Sequence, residues 1–320
     1  MRAYLLFSSS AIPAAVKAQQ GFRLRRVNGM VTDVRGPVRR RQITEADLDA
    51  VAGLLSRGFR FRPKSYWRRG LARQAARPVP ESYPRFGYLL EAGGRPVAVL
   101  LTIFSEAVRD GRRVVRCNLS SWSSEPAFAG HAALLVGAVL RDPTVTYLNL
   151  SPAPHTQPII ERQGFQPFGR GLFLSLPWLA DPHERVRIHR VGERAPECLA
   201  DLPERDLLEA HAGYGCTCLV AEAQDGLHPF VFAPRRILKR LVPTRHLIYC
   251  RDLAEFARFA GPLGRHLLGR GHPTVLIDAD GPLPGLVGLS LARQQTRYFR
   301  GPNPPRPGEI PYTEGAIFGP

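Results

Sequence analysis

A chain of 320 residues with 44% apolar content and 22% charge is longer than one ordinary domain and too apolar to be disordered, so two domains with real cores are expected. Its net charge of +17 is carried almost wholly by arginine, with lysine only at Lys17, Lys64 and Lys239, a bias that a GC-rich gene writes wherever a cation is tolerated. The charge therefore ranks a solvated basic face first, an anionic ligand such as coenzyme A second and nucleic acid third, while the absence of any apolar run of roughly 18 to 20 residues argues against a membrane span.

Residues 1 to 37 read as a flexible extension. Their apolar patch is broken by three serines and a proline, which weakens a signal-peptide reading and leaves Met30 as a candidate start; the chain is expected in the cytoplasm. From Val38 the pattern gives a short strand and then a helix capped at Thr44, with acids at Glu45, Asp47 and Asp49 and an apolar face of Leu48, Val51, Leu54 and Leu55. A second, basic helix begins at Pro63 and is closed by the prolines at 78, 80 and 84. Residues 86 to 126 predict three antiparallel strands separated by Gly93-Gly94 and Gly111.

The last of these strands ends at Pro126 and enters a turn, AFAGHA, with Gly130 as its flexible point, before a buried helix from Ala132 to Leu140. A strand that meets a helix through a glycine turn presents backbone N–H groups where phosphate can be held. The strand TVTYLNL follows, then a polar and proline-rich break, a short helix to Gln163, and a last strand or pair of strands to Pro177. After an exposed linker around Pro182 the order repeats in outline. Helical periodicity in LAEFARFAGPLGRHLLGRG is interrupted at Gly261-Pro262, and the Pro- and Gly-rich end of the chain reads as an extended surface segment. The runs DPTVTYLNLSPAP (142 to 154) and HPTVLIDADGPLP (272 to 284) point to an internal duplication. Five scattered cysteines are expected as reduced, mostly buried thiols, with no partner spacing for a metal.

This order, with Pro126, Phe128, Gly130 and Ala132 in the turn and Glu161, Gly164 and Phe165 in the late helix, resembles the GNAT superfamily of acyl-CoA-dependent N-acyltransferases over residues 38 to 177. The resemblance implies an α/β (α+β) fold, a mixed and mostly antiparallel sheet flanked by helices, with residues 186 to 320 as a second, degenerate copy in tandem. It implies acyl-CoA or acetyl-CoA as co-substrate, held by Trp122, Ser123, Ser124, Phe128, Ala129, Gly130, His131 and Ala132. Two positions depart from the family pattern: Ala127 stands in place of a Gln or Arg, and Ile160 in place of the tyrosine that often serves as general acid. Glu125 as base, and Asn149 and His155 as groups that orient the acceptor, are the nearby candidates. The function implied is transfer of an acyl group to an amine or hydroxyl; a non-catalytic GNAT-like binding module is the alternative, and a nucleic-acid-binding protein the second.

Overall fold

A computed structural model of the chain describes residues 37–109, 111–181, 184–192, 194–237, 242–291 and 296–319; the extension expected over 1 to 37 and the linker proline at 182 lie outside them, residue 37 apart. The chain forms two compact units, one ending at Val145 and one beginning at Thr146.

In the first unit the elements are β1 (Arg39–Gln42), α1 (Leu48–Gly58), α2 (Lys64–Ala76), β2 (Gly87–Ala92), β3 (Arg95–Arg109), β4 (Arg112–Ser124) and α3 (Ala133–Val139). The strands form an antiparallel meander in chain order. Thr44 opens the turn before α1 as expected, its backbone N–H and hydroxyl both donating to the Asp47 carboxylate at 2.9 and 2.7 Å. Arg41 joins Asp47 to Glu91, so the first strand, the cap and β2 share one ion-pair network. Val51, Leu54 and Leu55 are buried as the periodicity predicts, and Ala52 joins them. Helix α2 is held on the sheet by Gln74, fully buried, whose Nε2 donates to the carbonyls of Arg85 and Thr102 at 2.7 Å each.

The second unit contains β5 (Thr146–Asn149), α4 (Gln157–Arg162), β6 (Gln166–Gly169), β7 (Leu172–Ser175), β8 (Arg187–Val191), α5 (Arg205–Gly213), β9 (Thr217–Ala223), β10 (Gly226–Ile237), β11 (Val242–Tyr249), α6 (Leu253–Leu268), β12 (Thr274–Ile277), β13 (Gly288–Leu291), β14 (Arg297–Arg300) and α7 (Glu314–Ile317). The closing run, expected as a last strand or pair of strands, gives β6 and β7, which lie in different ladders. β6 lies in the ladder β5-β14-β6, whereas β7 sits between β12 and β13 in the ladder β8-β9-β10-β11-β12-β7-β13. Strands β5 and β12 come from the two segments that look duplicated, and each takes as its antiparallel neighbour a strand from the distant half of the sequence. The crossing point is pinned: the Arg170 and Gly171 N–H groups both donate to Asp280 at 2.7 Å.

Two expectations change here. Helix α6 runs unbroken through Pro262, because its strongly apolar face (Phe256, Phe259, Leu263, Leu267) is fully buried and outweighs the lost backbone bond. Gly261 and Gly264 let it approach the chain at 177–180: a Cβ at Gly264 would lie 2.2 Å from the Trp178 nitrogen. The closing segment is not a surface strip, since Ile310, Ala316, Ile317 and Phe318 are buried and the Pro311 carbonyl lies 3.0 Å from His211 Nε2. Its few large apolar residues find cover that a count of proline and glycine does not reveal.

Candidate active site

The end of β4 and the turn after it form the site that the sequence singles out. Strand β4 carries a bulge: Ser120 and Ser121 stand opposite Leu101 alone, between the pairs Leu100↔Trp122 and Thr102↔Leu119. A bulge inserts one residue and re-aims those that follow. Beyond it Ser121 and Ser123 turn inward and are buried, while Trp122 and Ser124 are half-exposed. The signal for this bulge, a Ser-Ser pair inside a strand pattern, is too weak to find from sequence. The C-terminal end of α1 closes directly on it, because a Cβ at Gly58 would come within 2.1 Å of Ser123 Oγ.

Glu125, expected as a base, follows at the strand end. Its carboxylate accepts two hydrogen bonds from Arg95, at 2.6 and 2.8 Å, and one from Arg57 at 3.3 Å. The Arg95 guanidinium holds the Glu125 carboxyl below its ordinary value, against the opposing effect of burial. That suits an anchor for two guanidiniums better than a proton acceptor. Replacing Arg95 with Gln removes the bidentate partner, and the Glu125 carboxyl is expected to titrate at higher pH in a carbon-detected NMR titration; an unchanged midpoint would refute the assignment.

The turn itself is a 3-10 helix, Pro126–His131, that leads into a seven-residue α3. Such a turn spends its N–H groups on carbonyls three residues back, as Phe128 does on Glu125 (2.9 Å) and Ala132 on Ala129 (3.2 Å). The cradle is therefore less open than a loose glycine loop. Gly130 is not at a positive φ, but a Cβ there meets nothing within 4 Å, so its backbone is open to a close approach. His131 is exposed, the rings of Phe128 and His131 lie 6.4 Å apart, and Ala132 turns into the core. Around this point the charge is positive: Arg57 and Arg95, 61% and 40% exposed, share the one carboxylate of Glu125. An open glycine backbone in the turn that Glu125 opens, with two partly exposed guanidiniums on that carboxylate, fits a phosphorylated ligand.

The remaining expected site residues fall in the other unit. Asn149 ends β5, in register with Tyr298 of β14. His155 lies in a 3-10 turn, Pro154–Thr156. Ile160, where the family keeps a tyrosine, is buried, and the neighbouring Glu161 instead accepts a hydrogen bond from the Tyr298 hydroxyl at 2.9 Å. A small cleft of the second unit, about 50 Å³, is lined by Asp278, Asp280, Arg297, Phe168, Pro307 and Ile310, none of them among the expected site residues. Among the described residues no group of three or more His, Cys, Asp or Glu could hold a metal, and no helix is long and apolar enough to cross a membrane.

No family model and no curated protein matches the chain. Solved structures do. A GCN5-related N-acetyltransferase from Kribbella flavida superposes with a TM-score of 0.53 at 17% identity, over 83% of this chain and 71% of its own. Another from Anabaena variabilis gives 0.54 at 11% identity, over 82% and 72%. A putative acetyltransferase from Pyrococcus horikoshii gives 0.51 at 12% identity, over 91% and 96%. The chain thus has the fold of the GCN5-related N-acetyltransferases, built from mostly antiparallel sheets flanked by helices, in an order that fits a tandem arrangement.

Proposed function

We propose that this protein is an acyl-CoA-dependent acyltransferase that moves an acyl group to an amine or hydroxyl. The observation that carries the reading is the fold likeness to several acetyltransferases over more than four fifths of the chain, with the bulged β4 and its Gly130 turn as the local support. In this reading the backbone at Gly130 and the guanidiniums of Arg57 and Arg95 bind the phosphates, and Trp122 to Ser124 align the acyl arm. When bound, acyl-CoA supplies an activated thioester. Glu125 positions Arg57 and Arg95 and takes no proton, which leaves the acceptor to arrive as a neutral amine or to lose its proton to solvent. Closure of α1 over Ser123 shields one side of the strand end from water.

Titration calorimetry with acetyl-CoA tests the site. Gly130→Glu places a carboxylate where the phosphates are expected, and affinity should fall about tenfold or more, since a like charge nearby costs on the order of 1 to 4 kcal/mol. No heat with either CoA or acetyl-CoA would overturn the proposal. The second reading, a binding module without catalysis, is favoured by Ala127 and by the burial of Ile160. Release of CoA on incubation of acetyl-CoA with the protein and a panel of primary amines separates the two.

A further inference from the structure

Four of the five cysteines (Cys117, Cys216, Cys218 and Cys250) are buried, whereas Cys198 is exposed. Burial pushes the thiols of Cys117, Cys218 and Cys250 up and makes them inert near neutral pH. Cys198 has different company. Its Sγ lies 3.9 Å from His189 Nδ1, and His189 Nε2 lies 2.7 Å from Glu222 Oε2. The three side chains come from separate elements: Cys198 from a 3-10 turn (Glu197–Leu199), His189 from β8 and Glu222 from β9. The packing that holds them is buried. Val191 and Leu199, neighbours of His189 and Cys198 in the chain, lie in one core cluster with Cys218 and Val220 of β9.

The order of the contacts sets the protonation. An ionised carboxylate only accepts, so Glu222 requires the His189 proton to be on Nε2, and Nδ1 is left with its lone pair toward the thiol. Arg187 also lies near Glu222, and the His189 hydrogen bond keeps the Glu222 carboxyl ionised below the usual range. Of the other acids near this site, Glu209 accepts from the Ala195 N–H and Arg205, and Glu204 from Arg251 and Tyr249, while Glu197 precedes Cys198 in the same turn. Nucleophile, base and orienting carboxylate in sequence is the arrangement that activates a thiol.

We propose that Cys198, His189 and Glu222 form a reactive-thiol site that exchanges with low-molecular-weight disulfides and is thereby modified. The thiol proton passes to His189 Nδ1. The thiolate attacks one sulfur of the disulfide, a new S–S bond to Cys198 forms as the old one breaks, and the departing thiolate takes up the proton from His189. One disulfide and one thiol enter, one mixed disulfide and one thiol leave, and no further oxidant is needed.

The folded protein is treated with 5,5′-dithiobis(2-nitrobenzoate), and separately with cystamine, and the modified peptide is identified by mass. Modification of Cys198 alone is expected. His189→Asn should slow the reaction at pH 7 by about tenfold, and Glu222→Gln should slow it in part. Circular dichroism and the melting temperature verify that both variants fold; Cys198→Ser must abolish labelling of the folded protein. A His189→Asn variant that folds and reacts as fast as wild type, or labelling of the folded protein at a cysteine other than Cys198, overturns the proposal.

Discussion

Replacing Asp278 with Ala is expected to lower the folding stability by about 3 to 5 kcal/mol, because it strands the buried Arg297 charge that this carboxylate balances. Asp278 follows β12 and accepts from His246 Nε2 of β11 at 2.8 Å and from Arg297 of β14 at 2.6 Å. Arg297 is itself 8% exposed. The one carboxylate thus ties three strands, and one of them is β14, which has come from the end of the chain. Burial raises the Asp278 carboxyl, but the charges of His246 and Arg297 outweigh it and leave it at about 2. A folded-state value below the unfolded one of about 3.9 gives stability that is complete above pH 4 and is lost as pH falls through 2. The loss in that window should be about 2 to 3 kcal/mol for wild type. Asp278→Asn, less stable at neutral pH, should lack that part of the acid loss. Urea denaturation from pH 2 to 7 checks both. A neutral-pH loss below about 1 kcal/mol, the value of an exposed ion pair, would show that the triad is not buried in the sense argued.

Gly87→Ala is expected to cost about 2 to 5 kcal/mol, the sum of backbone strain and overpacking. Gly87 opens β2 with φ +115°, and a Cβ there would lie 2.2 Å from the Leu100 carbonyl oxygen and 2.9 Å from the Thr102 nitrogen. Neither atom can yield, since the Thr102 N–H donates to the Phe86 carbonyl and Leu100 is paired with Trp122. Gly87 faces Leu101, the residue opposite the bulge, so its replacement should disturb the strand end on which acyl-CoA binding is proposed. Gly94→Ala is the control: its φ is +74° but its Cβ would meet nothing within 4 Å, so only the strain of about 1 to 2 kcal/mol remains. Thermal melts of the two variants separate these contributions. Equal losses would mean that the close approach at Gly87 does not matter.

Most of the local structure was legible because its causes are local. Thr44 with acids behind it reads as a helix start, the spacing of Val51, Leu54 and Leu55 reads as one buried face, and Gly93-Gly94 and Gly111 mark the turns of a meander whose strands are neighbours in sequence. The proposed site is local in part only. Trp122 to Ala132 share one strand end and its turn because they are consecutive, but the partners of Glu125 were not visible: Arg57 and Arg95 lie 68 and 30 residues away, and the anchoring role proposed for Glu125 rests on them. His189, Cys198 and Glu222 give no sequence signal as a group for the same reason.

By itself, then, the sequence determined the kinds of most elements, their order, the resemblance to an acyltransferase fold and the likeness of the two segments behind β5 and β12. The tertiary structure alone decided where the strands went. RYFR at 297–300 and LFLS at 172–175 are short runs whose hydrogen bonds could be made with many edges, and what places β14 beside β5 and β7 beside β12 is contact across more than 90 residues of chain, together with Asp278 and Asp280 at the crossing. Strand partnership is a non-local quantity. So is the burial of Ile317 and Phe318, and so is a helix that continues through Pro262 because the face it covers outweighs the bond it loses.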